Sequence, residues 1–178
     1  MRQIFLVGAY CNTPLLNQVR MMSTSLNVEE KKIATWRAFL QTHATVLRTL
    51  EEELQARLGL PLIWYEVLVN LANDRRGGVR LQDLAQAITL SQSGLTRLLD
   101  RMERAGLVSR KPCLADRRGA YAIITPDGKA LLEAARPVHQ AGIEHHFMQH
   151  LQAEEIEALY QALHKILASS QQNPPETE

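Results

Sequence analysis

Gln92, Ser93, Thr96 and Arg97 are polar side chains at helical spacing in the run Ser91-Gln-Ser-Gly-Leu-Thr-Arg-Leu-Leu-Asp-Arg-Met102. Their types suit the reading of base edges. Arginine forks onto guanine and glutamine onto adenine, and each such pair contributes about 1–3 kcal/mol of discrimination. Ser91, Arg101, Arg110 and Lys111 suit phosphate oxygens, contacts that fix register without choosing sequence. The plainer alternative for Arg97 and Arg101 is a solvated helix face with local ion pairs, for instance to Asp100.

Charge distribution favours the nucleic-acid reading. The chain has 178 residues and a formal net charge of only +1. Residues 75–118 nevertheless hold ten Lys/Arg against four acids, a balance of +6 that leaves −5 for the rest. A basic block within an acidic chain is the footprint of a phosphate-binding surface.

Several elements must position these groups. Leu95, Leu98, Leu99 and Met102 recur at helical spacing opposite the polar face. Ser91 suits the N-cap and Gly106 the stop. A short helix over Gln82–Ile88 precedes it, joined through Thr89–Ser91, with a short edge strand over Val79–Leu81. Leu107–Lys111 and Ala120–Thr125 flank a polar tip and read as a hairpin. Upstream, Ile33, Trp36, Leu40, His43, Leu47, Leu50 and Leu54 alternate by three and four. They mark one amphipathic helix over Glu29–Leu58, about 45 Å long. Gly59 ends it and Pro61 opens a second helix to Asn73. Downstream, Thr125 and Pro126 start a helix to about His150, with Pro137 inside it and a kink expected there. A last helix spans Ala153–Ala168.

The expected fold is mainly α with a small β wing: a winged helix-turn-helix of about six helices and one hairpin. Residues 79–125 form the DNA-reading lobe. The helices of 29–58 and 126–170 carry apolar stripes too generous for one small domain and are expected to pair with a second copy. Residues 1–28 read as a disordered or mis-started extension, and 171–178 as a disordered tail.

Residues 30–168 resemble the multiple-antibiotic-resistance regulator (MarR) family of transcription factors. The resemblance rests on Leu60-Pro-Leu-Ile-Trp-Tyr-Glu-Val-Leu68, on Ser91–Val108, and on Asp116-Arg-Arg118 followed by Ile124-Thr-Pro-Asp-Gly128. Ile124 stands where the family pattern has Leu. The resemblance implies a homodimer on a pseudo-palindromic operator of double-stranded DNA, and repression relieved by a small-molecule effector. It places Arg118 in the minor groove, Asp116 orienting it and Arg117 free for phosphate. It also places effector pockets near Trp36, His43, Trp64 and Tyr65, residues that more often form core.

No nucleophile elbow, Gly-rich phosphate loop, zinc-protease helix or paired catalytic carboxylates occur, so an enzyme is not expected and no cofactor is implied. Cys11 and Cys113 sit in no metal or redox spacing, which fits a reducing cytoplasm and no disulfide framework. Ile4–Tyr10 is too short to span a membrane. Two sensing alternatives within the family remain open. Cys113 among Arg110, Lys111 and Arg117 could have a lowered pKa, although an inert filler is favoured. His146 and His150, four apart, could share a metal, although a solvated or dimer-facing pair is favoured. A protein-interaction winged helix without an operator is the other alternative.

Overall fold

The computed structural model describes residues 27–74, 77–112 and 120–172. Helix α1 spans Val28–Leu58. It opens on a reciprocal cap: Glu30 N–H donates to Asn27 Oδ1 at 3.0 Å and Asn27 N–H to Glu30 Oε2 at 2.8 Å. This satisfies two backbone donors that the first turn leaves free. Gly59, at φ +62°, ends the helix in the left-handed region where a Cβ is penalised.

The chain divides into two compact units, Met1–Arg48 and Thr49–Glu178. The described part of the first is the N-terminal portion of α1. Its apolar side chains Ile33, Trp36, Phe39 and Leu40 are exposed in the single chain. Trp36 stacks on Phe39 and Phe39 on His43, with ring centroids 5.9 and 6.2 Å apart.

The second unit holds the core. Helix α2 spans Leu62–Asn73, so Pro61 stands at its N-cap rather than inside it. Proline has no side-chain acceptor, and Glu51 Oε2 of α1 takes the Leu62 N–H at 2.5 Å instead. Strand β1 is Val79–Arg80, α3 is Leu81–Ala87 and α4 is Gln92–Arg104. The hairpin strands are β2, Val108–Pro112, and β3, Ala120–Ile124. The sheet is antiparallel in the order β1-β3-β2. Ala122 of β3 pairs with Val79 on one side and Arg110 on the other and is wholly buried.

Helix α5 spans Pro126–His146 with Pro137 inside, and a 3-10 turn over Met148–His150 follows. The α-helix therefore stops short of His150. Helix α6 runs Ala153–Gln172, four residues beyond the sequence expectation and two into the expected tail. Leu54, Leu60, Val67, Leu68, Leu84, Leu99 and Leu132 are among the most deeply buried side chains. Gly142 of α5 lies where a Cβ would press on Leu50 and Glu53 of α1, and Glu53 Oε1 hydrogen-bonds His146 Nε2 at 2.8 Å. Among the described residues, six α-helices and one small sheet match the expected fold class.

Candidate nucleic-acid interface

Helix α4 is seated by its apolar face. Leu95, Leu98, Leu99 and Met102 are each at most 3% exposed. That burial turns Gln92, Ser93, Thr96, Arg97 and Arg101 outward, and all five are exposed. The helix starts sharply because Ser91 Oγ accepts the Gly94 N–H at 3.1 Å. Ser91 and Ser93 hydroxyls approach to 3.3 Å. Thr96 Oγ1 donates to the Gln92 carbonyl at 2.9 Å, which leaves its methyl and oxygen lone pairs for a partner. The turn before α4 contains Thr89 at φ +54°, a conformation disfavoured for a β-branched residue. The helix ends on Gly106 at φ +75°, and Leu107 N–H reaches back to the Met102 carbonyl at 3.0 Å.

Asp100 does not pair with Arg97. It binds Arg110 of β2, whose Nη2 lies 2.6 Å from Asp100 Oδ1 and 2.6 Å from Glu103 Oε2. Arg110 Nε also donates to Glu103 Oε2 at 3.0 Å, and its backbone N–H to Glu103 Oε1 at 3.1 Å. The Glu103 hydrogen bond, against some desolvation, raises the Arg110 pKa above its ordinary value, so the group stays charged. Arg110 is thus held by two carboxylates of α4, unlike the free phosphate contact expected from sequence. Arg97 and Arg101 have no ion-pair partner among the described residues. Lys111 is exposed. Cys113, Asp116, Arg117 and Arg118 lie outside the described residues.

Thr125 connects this lobe to α5. Its Oγ1 donates to the Gly106 carbonyl at 2.6 Å and accepts the Gly128 N–H at 3.0 Å, and its own N–H donates to the Leu107 carbonyl at 3.1 Å. The other strand edge is tied by Arg80, whose Nε donates to Tyr121 Oη at 3.2 Å and whose guanidinium lies 5.7 Å from that ring centroid.

The expected effector residues are placed differently from one another. Trp36 is 58% exposed and His43 is exposed, so His43 is not a core histidine of the single chain. Trp64 is half-buried. Tyr65 is buried and stacks on His139 of α5 with centroids 4.4 Å apart. Burial raises the Tyr65 pKa, outweighing the opposing field of Arg136, and lowers that of His139. His139 gave no signal in the sequence, because nothing marks which face of α5 meets α2. His146 is engaged by Glu53 and is separated from His150 by the end of α5. No cluster of three metal-ligating side chains occurs among the described residues.

The family model described as "MarR family" matches residues 65–119, a range that takes in most of α2 and all of β1, α3, α4 and β2. The transcriptional regulator HosA of Escherichia coli O157:H7 is 31% identical over 103 residues, covering 58% of this chain and 74% of that protein. The chain belongs to the MarR family. AbsC, a MarR family transcriptional regulator from Streptomyces coelicolor, superposes with a TM-score of 0.74 at 35% identity, over 84% of this chain and 99% of AbsC. Sco3205 from the same organism, solved in complex with DNA, gives a TM-score of 0.73 at 27% identity, over 86% of this chain and 94% of that one. A mutant MarR from E. coli, complexed with operator DNA, gives 0.68 at 25% identity, over 80% and 99% of the two chains. This MarR-family chain is a transcriptional regulator and not an enzyme. Among the described residues, no helix is long and apolar enough to cross a membrane.

Proposed function

We propose that this regulator binds a pseudo-palindromic DNA operator as a homodimer and represses transcription until a small-molecule effector releases it. Helix α4 enters the major groove with Gln92, Ser93, Thr96 and Arg97 at base edges. Ser91, Arg101 and Lys111 take phosphates. Arg118 enters the adjacent minor groove, whose narrow stretches concentrate negative potential, with Asp116 orienting it and Arg117 on phosphate.

The observation that carries this reading is the two-sidedness of α4. Its apolar face is fully seated, while an unbroken polar and cationic face is left outward at a capped helix start. Helices of this kind meet bases with their first turns. Sco3205 and MarR, both related in fold and sequence, were solved with DNA.

Homodimer formation is supported by the apolar side chains left exposed at both ends of the chain. Ile33, Trp36, Phe39 and Leu40 on α1 and Ile156, Tyr160 and Leu167 on α6 are 38–59% exposed. A row of exposed large apolar side chains on a helix marks an interaction surface. Two copies would then present two α4 helices to half-sites about one duplex turn apart. An effector would act by favouring a dimer whose lobes are spaced wrongly for the operator. Trp36, His43, Trp64 and Tyr65 are the residues proposed to meet it.

The test is a titration of the protein against its own upstream DNA at several salt concentrations, with sedimentation to fix its mass. Nanomolar binding to one duplex by a dimer, falling steeply with salt, is expected. A monomer, or equal weak binding to every duplex, overturns the reading.

A further inference from the structure

We propose that Arg110 is a positioning residue that locks the wing to α4 and so sets sequence discrimination, rather than a contact to phosphate. The inference rests on the DNA-binding reading above. Asp100 and Glu103 lie three residues apart and share one face of α4. Arg110 is the third residue of β2 and meets both carboxylates through three side-chain contacts of 2.6–3.0 Å. Its backbone N–H adds a fourth contact to Glu103. Side chain and main chain of one residue are therefore tied to the same helix.

The strand has little freedom to relieve this tie. Arg110 pairs with Ala122, the wholly buried centre of the sheet. The angle between α4 and β2 is thereby fixed at the point where the chain leaves for residues 113–119. Helix and wing must reach neighbouring grooves of one duplex together, so a change in that angle misplaces one reader when the other is seated.

Geometry argues against phosphate as the partner. Nε and Nη2 of the guanidinium already donate to the two carboxylates, which a phosphate would have to displace. Lys111, one residue further and exposed, has no such neighbours among the pairs above.

The experiment compares R110Q, E103Q, the double variant and K111Q with wild type. The probes are a duplex that wild type selects from a random pool and a scrambled duplex of the same composition. For R110Q and E103Q, the ratio of the two affinities should fall about tenfold, the size of effect of one mismatched base pair. The slope of log affinity against log salt should not change. K111Q should lower that slope by about 0.9, one phosphate contact, with the ratio kept. If R110Q lowers the slope and keeps the ratio, the proposal is overturned.

Thermal melting gives a readout free of DNA. The effects of E103Q and R110Q should be non-additive, because each change removes the same Arg110–Glu103 contacts. Additive effects also overturn it. A wild type that selects no duplex sinks the DNA-binding reading and with it any role in discrimination, and the melting cycle then still decides whether the lock exists.

Discussion

Gly128 and Leu107 approach so closely that a methyl group on Gly128 would overlap the Leu107 carbonyl oxygen. The same carbonyl accepts the Thr125 N–H, and the Thr125 hydroxyl caps α5 at Gly128. The start of α5 is thus set against the chain leaving α4 with no room between them. Gly128→Ala should destabilise the fold by about 2–3 kcal/mol, the typical result of overpacking against atoms that cannot move. Urea unfolding measures it. A loss under 0.5 kcal/mol, the ordinary scatter of surface substitutions, would show that α5 shifts freely.

Thr89 is held at φ +54° with its side chain exposed. The left-handed conformation costs an L-residue about 1–2 kcal/mol, and asparagine tolerates it better. Thr89→Asn should therefore stabilise the protein by about 1 kcal/mol. An unchanged or lower melting temperature would mean that the threonine is not strained there.

His139 confers a pH dependence with a definite sign. Burial lowers its pKa below the ordinary 6.5, so the folded state binds this proton less readily than the unfolded state. The neutral ring is compatible with the Tyr65 stack, and stability is full above about pH 6.5. It declines as pH falls from 6.5 through the lowered folded value. His139→Phe should keep the stack and flatten that part of the profile. Parallel wild-type and variant curves between pH 7 and 5 would contradict this.

Arg97 and Arg118 are expected to act differently from a phosphate contact. Arg97→Ala should cost about 1–3 kcal/mol on the preferred operator and little on unrelated DNA. Arg118→Ala should weaken operator binding markedly, with mass and melting temperature unchanged. Gel-shift titration reads both, and wild-type affinity in either variant would refute that assignment.

The exposed apolar rows predict the assembly. Placing glutamate at both Trp36 and Leu40 should yield monomers in sedimentation while leaving the second unit folded by circular dichroism. A dimer of wild-type affinity would place the interface elsewhere.

The legible features were those encoded by neighbouring residues. Ser91 announces the start of α4 through its hydroxyl, Gly106 its end, and the 95, 98, 99, 102 spacing its buried face. Features that depend on distant partners were not legible. Arg110 looks like a free cation until the turn brings Glu103 and Asp100 beneath it. Pro61 looks like a first helical residue, whereas the acceptor that starts α2 is Glu51, eleven residues before Leu62. The end of α5 at His146 carries no glycine or proline signal, so the His146 and His150 spacing suggested one helical face that is not there. At α6 the polar residues after Ala168 suggested a tail, but nothing before Pro174 forbids helix, and the helix runs on to Gln172.

The four-point seat of α4 has a consequence for how such a molecule can be switched off. Rotating a helix by one residue, about 100°, would drag Leu99 and Met102 into water and force Arg97 inward. Axial rolling is therefore closed as a route to inactivation. The release proposed above would instead carry the reader, its turn and its strands together, so that the signal is converted into distance along the duplex.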